Sequence, residues 1–168
     1  GDGSNGYAIT KEGTGTLVLS ATSTYTGDTT INAGTIKLTG NLNSATDLVI
    51  ASGATLDLQA TQTFATLDLD GTISNTAGTS SLVISGASDL NGNVTTTGTQ
   101  TYTGAVTLGA DTTLTTTDSN ITFNGTINSD GDTARALTID LNGADAESIT
   151  ADVIFGNGTA DTVGATKA

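Results

Sequence analysis

Pairs of aliphatic residues separated by one residue recur along this chain: Leu17/Leu19, Ile36/Leu38, Leu48/Ile50, Leu56/Leu58, Leu67/Leu69, Leu82/Ile84 and Leu137/Ile139/Leu141. Side chains alternate across a strand, so each pair turns one face to a core, while Val18, Lys37, Asp57, Asp68 and Asp140 point outward. No segment sustains a helical period. The chain therefore reads as short strands, over Thr16–Ser20, Thr35–Thr39, Asp47–Ala51, Ala54–Gln59, Thr66–Asp70, Ser81–Ser85, Asn93–Thr97, Ala105–Leu108, Thr113–Thr117, Asn120–Asn124, Ala136–Leu141 and Ser148–Ile154. Gly1–Gly6 reads as an entry loop.

Spacing limits how such strands assemble. Pairs beginning at Leu17, Ile36 and Leu56 are 19 and 20 residues apart, the first two each led by Gly-Thr. Thr24-Tyr25-Thr26-Gly27 is echoed by Thr101-Tyr102-Thr103-Gly104, and Gln62-Thr63-Phe64 by Gln100-Thr101-Tyr102. Asp70-Gly71-Thr72-Ile73 is echoed by Asn124-Gly125-Thr126-Ile127, and more loosely by Asn91-Gly92-Asn93-Val94. Degenerate repeats near this period, with turns of Gly, Asn and Asp, fit coils that each bury too little alone and share one core when stacked. The expected fold is all-β: a right-handed single-stranded parallel β-helix, or β-solenoid, of about eight coils, roughly 40 Å long at the strand spacing. Residues 1–168 are expected to form a single solenoid domain. An antiparallel sandwich would explain the turns. It would not explain the echoes, nor how 4% aromatics could fill a two-sheet core.

Composition narrows the function. The net charge is −13, and Lys11, Lys37, Arg135 and Lys167 are the only bases. No basic stripe exists to displace counterions from a nucleic acid or to dock on anionic lipid. Without cysteine there is no disulfide framework or thiolate metal site, and without histidine no Ser–His machinery. No apolar run is long enough to span a bilayer.

The stretch Lys11–Leu38, KEGTGTLVLSATSTYTGDTTINAGTIKL, resembles the passenger-associated strand repeat of bacterial autotransporters, K-x-G-x-G-T-L-x-L-S…T-Y-T-G-x-T-x-(I/V)-N-x-G-T-(L/I)-x-L. It departs from that form at Ala21-Thr22-Ser23, within a turn. From Gln100 onward, TQTYTGAVTLGADTTLTTTDSNITFNGTI is similar to repeats of large surface adhesins of the filamentous-haemagglutinin type. These resemblances imply an extracellular location at the bacterial outer-membrane surface, and that Gly1–Ala168 is a segment of a longer secreted chain. They also imply a structural or adhesive role with no enzymatic activity and no cofactor. The implied partners are neighbouring repeats or identical subunits, with host or matrix glycans or proteins as further candidates. A self-assembling filament subunit is the second reading, and a polysaccharide-active enzyme a remote third.

Candidate chemistry is confined to carboxylates and aromatics. Asp68 and Asp70 share one strand face about 7 Å apart, a separation open to inverting glycoside hydrolysis; the plainer reading is two solvated outward residues. Asp130-Gly131-Asp132 and Asp68-Leu69-Asp70-Gly71 offer hard oxygen ligands for calcium, but no calcium-loop pattern surrounds them, so turns are expected there and no metal site is assigned. The sequons at Asn93, Asn120, Asn124 and Asn157 are what chance supplies in so Asn- and Thr-rich a chain. Tyr25, Phe64 and Tyr102 are read as packing residues at coil corners rather than a sugar-stacking platform. A Thr array for ice binding would need T-x-T on every coil, and Leu48–Ser52 and Leu67–Asp70 break it.

Overall fold

The structure, a computed structural model, describes residues 6–131, 133–141 and 151–155. Among these every regular element is a strand, and all strand pairs are parallel. No helix among them is long and apolar enough to cross a membrane. Numbered in chain order, the first sheet stacks β1 (Ile9–Lys11), β3 (Thr29–Ile31), β5 (Leu48–Ile50), β8 (Leu67–Leu69), β11 (Ser88–Leu90), β14 (Val106–Leu108) and β17 (Ile127–Ser129). The second stacks β2 (Thr16–Leu19), β4 (Thr35–Leu38), β6 (Thr55–Leu58), β9 (Thr72–Ser74), β12 (Val94–Thr95), β15 (Thr112–Thr115) and β18 (Leu137–Asp140). The third stacks β7 (Gln62–Phe64), β10 (Leu82–Ile84), β13 (Gln100–Tyr102), β16 (Ile121–Phe123) and β19 (Val153–Phe155). From β1 to β6 the chain alternates between the first two sheets, and from β7 on it visits all three in turn, so it winds a parallel β-solenoid of about six turns, fewer than the eight expected. At the strand spacing, six turns make a rod about 30 Å long.

Register follows the aliphatic pattern. Leu17, Ile36, Leu56, Ile73, Val94, Leu114 and Ile139 form one inward column of the second sheet, so the Leu17–Ile36–Leu56 spacing is the true coil period. The Gln-Thr-aromatic echo lies in the third sheet, where Gln62 and Gln100 flank Leu82, and Phe64 and Tyr102 flank Ile84. The third echo divides. Asn91-Gly92-Asn93-Val94, the looser member, is the structural equivalent of Asp70-Gly71-Thr72-Ile73, because Val94 pairs with Ile73. Ile127 instead belongs to the first sheet, beside Val106.

Twelve strands lie where the sequence places them, although residues 148–150 fall outside the described residues. Seven others, β1, β3, β7, β9, β11, β13 and β17, lack the paired-aliphatic signal. Several put a polar side chain inward: Thr29 in β3, Gln62 in β7, Ser88 in β11 and Gln100 in β13 are all buried. Asp57 corrects the outward assignment in another way. It sits on the outer column of β6, yet it is only 6% exposed. Its carboxylate accepts hydrogen bonds from Gln59 Nε2 (2.8 Å), Thr76 N (3.0 Å) and Thr76 Oγ1 (2.7 Å), so a neighbouring turn covers it.

Candidate functional site

The most elaborated part of the molecule is the corner joining the first two coils. In β1 the alternation that turns Ile9 inward also turns Lys11 inward, and Lys11 is buried. Its Nζ donates to the carbonyls of Glu12 (2.8 Å), Gly13 (2.6 Å) and Ala33 (3.0 Å). An ammonium group has three protons, and all three are used. The first two acceptors belong to its own corner and the third to the next coil, so one cation ties two turns together. Outside, Asn32 Nδ2 donates to Glu12 Oε1 at 2.6 Å across the same two coils. The corners nest closely. Gly34 has φ +70°, and a Cβ there would lie 2.5 Å from the carbonyl oxygens of Gly13 and Gly15, so a side chain is excluded by space and by backbone angle. At the opposite corner a Cβ on Gly27 would meet Gly6 O at 2.5 Å and Tyr7 O at 2.6 Å. Between these corners the buried Tyr25 hydroxyl shares a 2.7 Å hydrogen bond with Thr29 Oγ1. Burial raises the Tyr25 phenol above its ordinary range, only partly offset by that bond, so the group stays neutral.

Later coils use other devices for the same axial linkage. Gln62 faces inward and exchanges two hydrogen bonds with Leu42 of the preceding turn, accepting from its N at 2.8 Å and donating to its O at 3.1 Å. Gln100 Nε2 donates to Thr115 O (2.9 Å), and Tyr102 donates its hydroxyl proton to Gln100 Oε1 (3.0 Å). The Tyr102, Phe123 and Phe155 rings stack in sequence, with centroids 5.3 and 5.6 Å apart. Desolvation pushes the Tyr102 phenol far up, which leaves it a permanent donor. At exposed corners Asn93, Asp111 and Asn120 each accept from a backbone N–H of the next coil, at Thr113, Ala136 and Asp152, all at 2.8 Å. These are ladder positions that sequence alone could suggest but not locate.

Tyr25, Phe64 and Tyr102 are buried, Phe64 and Tyr102 completely, so they pack within the rod and offer no sugar platform. Asp68 is exposed on the outer face of β8, and Asp70 on the corner after it, where it accepts from Asn91 Nδ2 at 2.7 Å. Asp68 pairs in register with Asp89. Partial burial, and then the carboxylates of Asp68, Asp70 and Asp130, raise the Asp89 carboxyl above the usual range. Among the described residues no group of three or more His, Cys, Asp or Glu could hold a metal ion. Asp132, half of one calcium candidate, lies outside the described residues, as do Lys167 and the sequon at Asn157.

The Thr array is interrupted for a different reason from the one expected. Leu48–Ile50 and Leu67–Leu69 lie on the first sheet. On the second, Thr16, Thr35, Thr55 and Thr72 are in register, as are Thr113 and Thr138, with Asn93 between the two runs. The adjacent outer column holds Val18, Lys37, Asp57 and Ser74, so a regular T-x-T lattice is absent there.

What sequence reasoning missed was the role of Lys11. Its signal was its place at i+2 from Ile9, on the inward side, just before Gly13 and Gly15.

The fold and these inter-coil contacts define the class of molecule: a parallel β-solenoid whose turns are fastened by short side-chain links. The family model of the passenger-associated-transport-repeat matches residues 9–38, the segment from β1 to β4 that contains the Lys11 corner, and this is consistent with a repeat of an autotransporter passenger. No curated protein and no solved structure matches the chain.

Proposed function

We propose that this chain is a rod-forming extracellular module of a bacterial surface or secreted protein, a passenger-like stalk that carries a binding element away from the cell or presents its own flat faces to glycans or proteins. The observation behind this reading is that the matched repeat coincides with the corner where Lys11, Asn32 and Gly34 lock one coil onto the next. The signature residues of the repeat are those that fix axial stacking, and axial stacking is what a spacer requires. A stack of complete coils pairs backbone groups along its length without disulfides, which suits a chain with no cysteine.

The adhesive half of the proposal is tested by binding of the labelled chain to immobilised matrix proteins and glycans. Saturable binding that is lost on substitution of outward residues supports it. No binding by a chain whose circular dichroism and melting show an intact fold removes that half and leaves a spacer.

A further inference from the structure

Between β9 and β10 the chain crosses the outer surface in residues 75–79. Thr76, Ala77, Gly78 and Thr79 are exposed and make no backbone-to-backbone hydrogen bond. Side chains alone hold this segment to the rod. Asn75 Nδ2 donates to Leu58 O of the preceding coil at 2.7 Å. Asp57 takes the Thr76 amide on one carboxylate oxygen (3.0 Å) and the Thr76 hydroxyl on the other (2.7 Å). Gln59 Nε2 completes the clasp, donating to Asp57 Oδ2 and to Thr76 Oγ1, both at 2.8 Å. This is how a carboxylate on the outer column comes to be covered.

The same carboxylate has a second partner within reach. Lys37 lies in register with Asp57 on the neighbouring strand β4, and both occupy the outer column. Among the described residues the Lys37 ammonium engages no hydrogen-bond acceptor and no carboxylate, the single ion pair being Arg135 with Asp130. Directly opposed side chains of opposite charge on adjacent strands are close enough to pair. We propose that residues 75–79 are a latch with two settings. In the closed setting Asp57 holds Thr76. In the open setting Asp57 turns to Lys37, Gln59 and Thr76 give their protons to water, and the segment lifts from the second sheet. The exchange trades hydrogen bonds to a carboxylate for an ion pair and hydration, so neither setting strands a buried charge without a partner. A segment held by a few side chains and by no ladder bond opens at a free energy well below that of global unfolding. Opening bares the outward row of Lys37, Asp57 and Ser74 and leaves the inward columns as they are. The latch therefore controls access to that part of the outer face of the second sheet. The inference is independent of any adhesive role.

Amide hydrogen exchange, read residue by residue by NMR, tests it. The Ile73 and Leu82 amides bond to Asn93 O and Thr99 O of the next coil and report opening of the ladder. The Thr76 amide should exchange about tenfold faster than either, or more, as a local opening does against a global one. Lys37→Met keeps the stem and removes the alternative partner. Exchange at Thr76 should then slow by roughly two- to fivefold, the range that an exposed ion pair supplies, with Ile73 and Leu82 unchanged. Lys37→Gln should repeat that result, and decides the matter if the methionine variant does not fold. Thr76→Val, which lacks the hydroxyl of the clasp, should speed exchange at position 76. Equal exchange at Thr76 in the parent chain and in the folded Lys37 variants overturns the proposal. So does a Thr76 amide that exchanges only at the rate of the ladder.

Discussion

Lys11 replaces an aliphatic at the first position of the column that continues through Ile31, Ile50, Leu69 and Leu90. Its methylene stem serves the column while its ammonium closes the corner, the division of labour usual for buried lysine. Lys11→Met keeps the stem and leaves three carbonyls without their donor. Thermal denaturation should show a loss of about 1–3 kcal/mol, the cost of polar groups stripped of partners. Gly34→Ala should cost roughly 2 kcal/mol or more, since it adds a positive-φ penalty to a backbone clash. Two other residues predict the reverse. Thr46 Oγ1 and Ser88 Oγ are buried without a hydrogen-bond partner. Thr46→Val and Ser88→Ala should each raise stability by about 1 kcal/mol in urea titration, because an unsatisfied hydroxyl is removed at little change in shape.

At the scale of the strand, the like-charged neighbours Asp68 and Asp89 make a prediction about pH. The Asp89 carboxyl is raised by partial burial first and by Asp68, Asp70 and Asp130 next. The folded chain therefore holds that proton more tightly than the unfolded chain. Its favourable contribution is complete below the ordinary aspartate range and is lost as pH rises through the folded value. Asp89→Asn should thus raise the melting temperature at neutral pH, and this gain should vanish in acid. A gain equal at both pH values would sink the explanation.

Legibility of the strands divides by what fills the inward positions. Where two aliphatics alternate, as in Leu17/Leu19 or Leu82/Ile84, the pattern marks the strand, and for Leu17, Ile36 and Leu56 the spacing also gives the axial register. Strands such as Gln62–Phe64 and Gln100–Tyr102 were visible only as an echo, because a glutamine can sit inward once its amide is satisfied by the adjacent turn. Asp57 lies on the outer column, as alternation places it, but its cover is not legible: the side chains over it, Gln59 and Thr76, come from separate coils, and alternation says nothing about a turn folded over the outer face. The Lys11 corner was recognisable as a motif, but its mechanism required knowing that Ala33 returns beside Gly13.

Over the whole molecule, charge opposes compaction and stacking supplies it. With a net charge of −13 and four bases, the chain repels itself. Raising salt from low to physiological ionic strength should increase the melting temperature by screening exposed carboxylates. A melt independent of salt would mean that the repulsion is already negligible.

The rod also tolerates unequal amounts of chain per turn. Asp70 and Asn91 are linked across 21 residues, whereas Asn120 and Asp152 are linked across 32, yet Ile121 still pairs with Val153 and Phe123 with Phe155. The columns keep their register although the chain between successive partners differs in length. Each turn therefore acts as a docking bay whose rim can accept a guest segment, and the lineage of such a chain can try new loops on its surface while the shaft beneath keeps its pitch.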